Sequence, residues 1–174
     1  MTNTLTKIQT ITVGSTGVSS ITFTSIPQTF NDIVILSSTR STQSGTGTDY
    51  SFARINGDSS GLYSDTWLRN ISGSPSTFGS GTGGTYLISG YSVNSGATAN
   101  VYSNNSLYIP NYTSSSYKSS FTASSPEQYV ANFDSTNYIV AGLYRGTSPV
   151  TSLSITNGSG NNFSQYSEFT LYGI

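Results

Sequence analysis

Ser25-Ile26-Pro27-Gln28-Thr29-Phe30-Asn31-Asp32-Ile33-Val34-Ile35-Leu36-Ser37-Ser38-Thr39-Arg40 is the stretch whose reading decides the fold. Ile33 to Leu36 is a run of four large apolar residues, three of them β-branched, in a chain otherwise dominated by Ser, Thr, Asn and Gly. In an extended chain alternate side chains point to opposite faces, which puts Ile33 and Ile35 on one side and Val34 and Leu36 on the other. An apolar residue at every position therefore predicts a central strand covered above and below. Pro27 fixes φ and has no N–H to give a ladder, while Asn31 and Asp32 favour turns, so Pro27 to Asp32 delivers the strand.

Outward from this strand, the same alternation recurs in short segments. Ile8, Ile11 and Val13 are interrupted by Gly14 to Gly17 before Val18, Ile21 and Phe23, a pattern that predicts a hairpin. Ser41 to Thr48 is a polar surface loop. Tyr50, Phe52 and Arg54 alternate with Ser51, Ala53 and Ile55, and Asn56-Gly57-Asp58 signals a reversal because Asn and Gly tolerate positive φ. Trp67 and Leu68 fall in a short segment between Asp65 and Asn70. Ser72 to Thr85 is almost entirely Gly, Ser and Thr and reads as a long exposed loop within one domain spanning 1–174. Further strands are expected at Tyr86 to Val93, Val101 to Ile109, Tyr117 to Ala123, Tyr129 to Phe133, Tyr138 to Tyr144, Val150 to Ile155 and Phe169 to Tyr172. No window carries an apolar stripe of helical period with caps. The expectation is an all-β fold with essentially no helix, an antiparallel β-sandwich wired as a jelly roll of about eight to ten strands.

Composition bounds the function. The 174 residues suit one domain. Only 7% are charged and the net charge is −1, so there is no electrostatic footprint for nucleic acid or for an anionic membrane. So weakly charged a surface favours association, and a homo-oligomer or a protein partner is expected. Cysteine is absent, which removes disulfides and thiolate metal sites. No stretch approaches the length of a membrane span, and the first residues lack a basic leader and an apolar segment, so synthesis in a cytosol is expected.

The residues offer little chemistry. Gly79-Ser80-Gly81-Thr82-Gly83-Gly84 matches a dinucleotide-binding glycine pattern, but Tyr86-Leu87-Ile88 after it reads as a strand where that motif needs a helix. Histidine is absent, so no imidazole can act as general base or zinc ligand. Asp58 and Asp65 are the close acid pair that a two-carboxylate hydrolase or a calcium site would draw on, but beside Asn56-Gly57 they read as turn and capping residues. No catalytic residue, cofactor or metal is expected. Most of the 13 tyrosines should bury their rings and keep their hydroxyls near water or a carbonyl; the functional alternative is an aromatic platform for sugar rings. Trp67, Tyr63, Arg69 and Tyr112 are the candidate interaction surface.

Several segments together resemble a family of small virion proteins of tailed phages. They are Ser25-Ile26-Pro27 through Asp32-Ile33-Val34, Arg54-Ile55-Asn56-Gly57-Asp58 followed by Tyr63, Thr66-Trp67-Leu68-Arg69, Leu107-Tyr108-Ile109-Pro110-Asn111-Tyr112, and the closing Phe169-Thr170-Leu171-Tyr172-Gly173-Ile174. The resemblance runs over nearly the whole chain and brings no catalytic residues with it. It implies a β-rich, non-enzymatic virion component. Related jelly-roll proteins serve as capsid cement or decoration, and others sit on tails or fibres. The expectation is a cement protein on the outer capsid surface, bound to the major capsid protein and to itself as a trimer. The alternative is a tail or tail-fibre module that binds host surface carbohydrate. With Ile174 closing the chain, a fragment of a longer fibre is not expected.

Overall fold

The computed structural model describes residues 4–71, 74–79, 81–126 and 136–174. Among them are twelve strands and no helix: β1 (Thr6–Thr12), β2 (Ser20–Phe23), β3 (Ile33–Thr39), β4 (Thr48–Ile55), β5 (Tyr63–Ile71), β6 (Ser74–Gly79), β7 (Leu87–Val93), β8 (Ser103–Ile109), β9 (Lys118–Ser125), β10 (Thr136–Tyr144), β11 (Leu153–Asn157) and β12 (Glu168–Gly173). They form an eight-stranded sheet, β1-β12-β3-β8-β9-β10-β5-β6, and a four-stranded sheet, β2-β11-β4-β7, with every pairing antiparallel. The chain changes sheet at each connection except β5 to β6 and the run β8 to β9 to β10. Sheet neighbours are thus far apart in sequence, which is the wiring of a jelly roll: β1-β12-β3-β8 belongs to one sheet and β2-β11-β4-β7 to the other, with β9, β10, β5 and β6 extending the first sheet beyond β8.

Three strands, β1, β2 and β6, sit differently from the expectation. The segments around Gly14 to Gly17 do not form a hairpin: β1 pairs with β12 in the larger sheet and β2 with β11 in the smaller. Ser72 to Thr85 is not simply an exposed loop, because β6 lies inside it and pairs with β5 from Thr66↔Gly79 to Ile71↔Ser74. Gly and Ser weaken a strand, but an edge strand needs only one partner, and Pro75 is tolerated where no second ladder is required. The strand expected at Tyr129 to Phe133 lies outside the described residues.

The deciding stretch does become an inner strand, with β12 on one side of β3 and β8 on the other. Ile33 and Ile35 enter the core between the sheets, in register with Leu171, Leu107 and Ile109. Among the described residues no other layer covers the opposite face. Val34 is shielded because Tyr172 and Tyr108 flank it in register, whereas Leu36 lies between Thr170 and Ser106 and stays 40% exposed. Two-sided burial holds for Val34 through its neighbours' rings and fails for Leu36, whose neighbours are too small.

The turn segments of the chain meet at one end of the sandwich. The Tyr112 hydroxyl donates to the Pro27 carbonyl, and Asp32 accepts from the Tyr108 hydroxyl (2.7 Å) and the Asn111 N–H (2.9 Å). Ile174 exchanges backbone hydrogen bonds with Asn31 and Asp32. Gly173 lies so close under the Phe30 ring that a Cβ would stand 2.3 Å from it. Three segments quoted for the family resemblance, Ser25 to Val34, Leu107 to Tyr112 and Phe169 to Ile174, are therefore one structural unit. Their conjunction is accounted for by packing.

Candidate functional site: the outer face of the larger sheet

The sequence-predicted surface residues separate into two groups. Tyr63 and Tyr112 are not on the surface: both are wholly buried in the main core. Tyr63 uses its hydroxyl to accept the Ile55 N–H at 3.0 Å and to donate to the Asp58 carbonyl at 3.1 Å. That contact holds the Ile55 to Asp58 turn, in which Asn56 and Gly57 take positive φ of 51° and 71°, tolerated by the short polar side chain of Asn and by the missing Cβ of Gly. Burial pushes the Tyr63 phenol up to about 12. The sequence signal that both tyrosines sit beside a turn was present; their full burial depends on which sheet faces them.

Trp67 and Arg69 are half-buried and belong to an aromatic seam. The larger sheet has twice the strands of the smaller, so β7, the smaller sheet's edge, packs across β8, β9, β10 and β5 and leaves the inner face of β5 and β6 beyond it. Trp67 and Phe78 fill that overhang, with ring centroids 4.9 Å apart. Tyr91 of β7 stacks on Tyr138 of β10 at 3.5 Å, and Trp67 leans on both at 6.4 Å. Beyond them Phe52 stacks on Tyr86 at 4.6 Å. The guanidinium of Arg69 lies over Phe78 at 4.4 Å and that of Arg54 over Phe52 at 4.9 Å. Each such contact contributes about 0.5–1.5 kcal/mol beyond area burial. The rings are engaged by each other and by two cations, so the seam's first role is to close the sandwich where the sheets are unequal.

Asp58 and Asp65 sit in different settings, one in a turn and one buried on a strand. Asp58 sits in the turn after β4, where Ser60 N–H and Oγ and the Tyr144 hydroxyl donate to its carboxylate and hold its pKa below the usual value. Asp65 is on the inward side of β5, buried. Among the described residues no group of three or more Asp, Glu, His or Cys is placed to hold a metal.

The feature that does assemble an unusual surface is the outer face of β3, β8, β9, β10 and β5. Their outward positions are Val34, Leu36 and Ser38, then Asn104, Ser106 and Tyr108, and so on across the sheet. None of the described ones bears a charge. Leu36, Leu68, Phe121 and Ile139 stand there 40–48% exposed. Leu36, Ser106, Ala123, Ile139 and Leu68 form one cross-strand row, and the small Ser106 and Ala123 in its middle leave a trough of about 470 Å3 between the Leu36 and Ile139 walls. Asn104 and Asn137 stand at one end of the trough with neutral amides, and among the described residues no carboxylate, amine or guanidinium lines it. A solvent-facing sheet ordinarily turns polar and charged side chains outward; here exposed Leu, Phe and Ile stand among neutral Ser, Thr and Asn, with no charge at the described outward positions. Composition had predicted such a surface without locating it: the outward positions are spread over five strands, and only the strand order puts them side by side.

Compared with protein-family models, with curated proteins and with solved structures, the chain matches none of them.

Proposed function

We propose that this chain is a non-enzymatic structural protein of a tailed-phage virion, a cement or decoration protein. In this reading it binds the major capsid protein on the outer shell and stabilises the particle. The observation that carries it is the uncharged outer face of β3, β8, β9, β10 and β5, with its exposed Leu36, Leu68, Phe121 and Ile139. Such a face adheres by apolar burial and neutral hydrogen bonds, which suits permanent attachment to another protein better than reversible charge-steered binding. The resemblance of the chain's segments to small virion proteins supports the same reading.

The test is add-back to particles lacking the protein. Virions are purified and their proteins identified by mass spectrometry, and the recombinant chain is then bound to depleted particles from low salt to about 1 M NaCl, where the Debye length is about 3 Å. Retention across that range is expected, because apolar burial is not screened. Absence from purified virions, or release at moderate salt with the circular dichroism spectrum unchanged, would remove the reading.

A second reading, a tail or fibre module that binds host carbohydrate, draws on the half-buried Trp67 and on Phe78, 41% exposed at the end of the seam. A glycan array separates the two. Saturable binding to a defined sugar, abolished by Phe78→Ala in a folded variant, would favour the module over the cement protein.

A further inference from the structure

We propose that the outer face of β3, β8, β9, β10 and β5 is covered by the same face of a second copy of this chain, in a twofold face-to-face dimer. The inference rests on the reading of this face as a protein-binding surface, and it names the partner. Three observations point to a copy of itself. The face carries no charge at its described outward positions, so laying it on an identical face brings no like charges together. Among the described residues, ionised groups lie at its margins: Asp32 is held by Tyr108 and Asn111, and Lys7 and Glu168 sit on the β1 and β12 flank.

The second observation is shape. A twofold contact needs a surface complementary to itself, with a projection and a recess on either side of the axis. Here Ile139 and Leu68 form a ridge and Ser106 and Ala123 a trough, side by side in one row. A twofold axis lying in the interface, parallel to the strands and midway between Ala123 and Ile139, drops the ridge of each copy into the trough of the other. Two faces of this kind pack at about 10 Å with their strands within roughly 30° of parallel.

The third is area. Five strands at about 4.8 Å spacing and about seven residues at about 3.3 Å rise make a patch of roughly 24 by 23 Å, or about 550 Å2 per copy. With this axis β8, β9, β10 and β5 of the two copies lie over one another and β3 of each lies over β6 of the other, so these strands together bury about 1,100 Å2, above the roughly 1,000 Å2 that a specific interface requires and toward the low end of the standard range. Association in the micromolar range is the expected outcome. The pairing is isologous and closes at two copies, in contrast to the trimer expected from the sequence.

Sedimentation velocity from about 1 to 100 µM tests this, together with cysteine cross-linking, which is clean because the chain has no native cysteine. The expected result is a concentration-dependent species of twice the 18.4 kDa chain mass. Ile139→Lys, at an exposed position, is expected to weaken it by at least about 100-fold, since the symmetry places two lysines in the two troughs. Ala123→Cys is expected to cross-link rapidly through a short bis-maleimide, and Ser59→Cys, exposed in the turn after β4, is not. A protein monomeric to 100 µM overturns the proposal. So does a trimer, or any oligomer that Ile139→Lys leaves intact. If the chain is monomeric while Ile139→Lys abolishes its binding to particles, the face belongs to the shell: the dimer falls and the cement reading stands. If the chain dimerises as described but is absent from virions, the cement reading falls and the dimer stands.

Discussion

Ile35 and Leu36 are adjacent in sequence and opposite in environment, so the same substitution at each measures how the sheet is covered. Ile35 is 2% exposed, in register with Leu171 on one side and Leu107 on the other, at the centre of the main core. Ile35→Asp loses the packing of a buried aliphatic side chain, about 2–5 kcal/mol by analogy with truncation to Ala. It must also desolvate a carboxyl group with no donor provided for it, which costs at least a few kcal/mol more, even for the protonated form. A total of roughly 5 kcal/mol or more equals much of the 5–15 kcal/mol that stabilises a typical domain. Leu36, 40% exposed between Thr170 and Ser106, keeps its replacement in water, and Leu36→Asp should cost no more than about 1 kcal/mol. Urea unfolding followed by circular dichroism at about 1 µM, where self-association contributes little, reads both. Ile35→Asp is expected to be insoluble or unfolded without denaturant, and Leu36→Asp to unfold cooperatively near the parent midpoint. A soluble, cooperatively folding Ile35→Asp protein would refute the assignment of β3 as a core strand; equal damage at both positions would mean that the outer face is buried within the single chain.

Three further predictions follow from particular contacts. Tyr63→Phe keeps the buried ring but strips the Ile55 N–H of its acceptor, so a loss of about 1–3 kcal/mol is expected in the same unfolding assay, and an unchanged midpoint would show that water or another acceptor replaces the hydroxyl. Gly90, at φ 151°, has the Asn105 side chain 2.6 Å from where a Cβ would be, and the Asn105 carbonyl oxygen accepts from Tyr91 N–H (3.1 Å) and Ser124 Oγ (2.5 Å). Gly90→Ala should therefore cost about 2–4 kcal/mol by displacing that buried amide, whereas a near-neutral result would mean that β7 can shift away from β8. Asp49, buried on β4 with Ser159 Oγ at 2.6 Å and Ser41 Oγ at 3.2 Å, has its pKa raised above 3.8 because desolvation outweighs those donors. A raised carboxyl pKa means stability that is full below 3.8 and is lost as pH climbs through the folded-state value. The Tm of Asp49→Asn relative to the parent should thus rise from pH 3.5 to pH 7, and a relative Tm that falls over that range would reverse the sign of the argument from burial.

The all-β class, the antiparallel pairing and the near-correct positions of most strands were legible in the sequence, because period-two apolar alternation and Gly, Asn and Pro punctuation are local signals. The Asn56-Gly57 turn was legible for the same reason. What lay beyond local signals was decided by tertiary structure. The chain between β1 and β2 reads as a hairpin, yet the two strands belong to different sheets, since each found a better partner more than a hundred residues away in β12 and β11. β6 is hidden in Gly, Ser and Thr because an edge strand needs only β5 beside it and little side-chain burial. Tyr63 and Tyr112 look like any other tyrosines until the sheets close over their rings. The candidate interface is the clearest case. Composition alone determined that the chain is poor in charge, but Leu36, Ile139 and Leu68 are drawn from three distant strands, and only the jelly-roll strand order aligns them across one face. Strand order is set by which apolar faces bury one another, a property of the whole chain that no window of sequence contains.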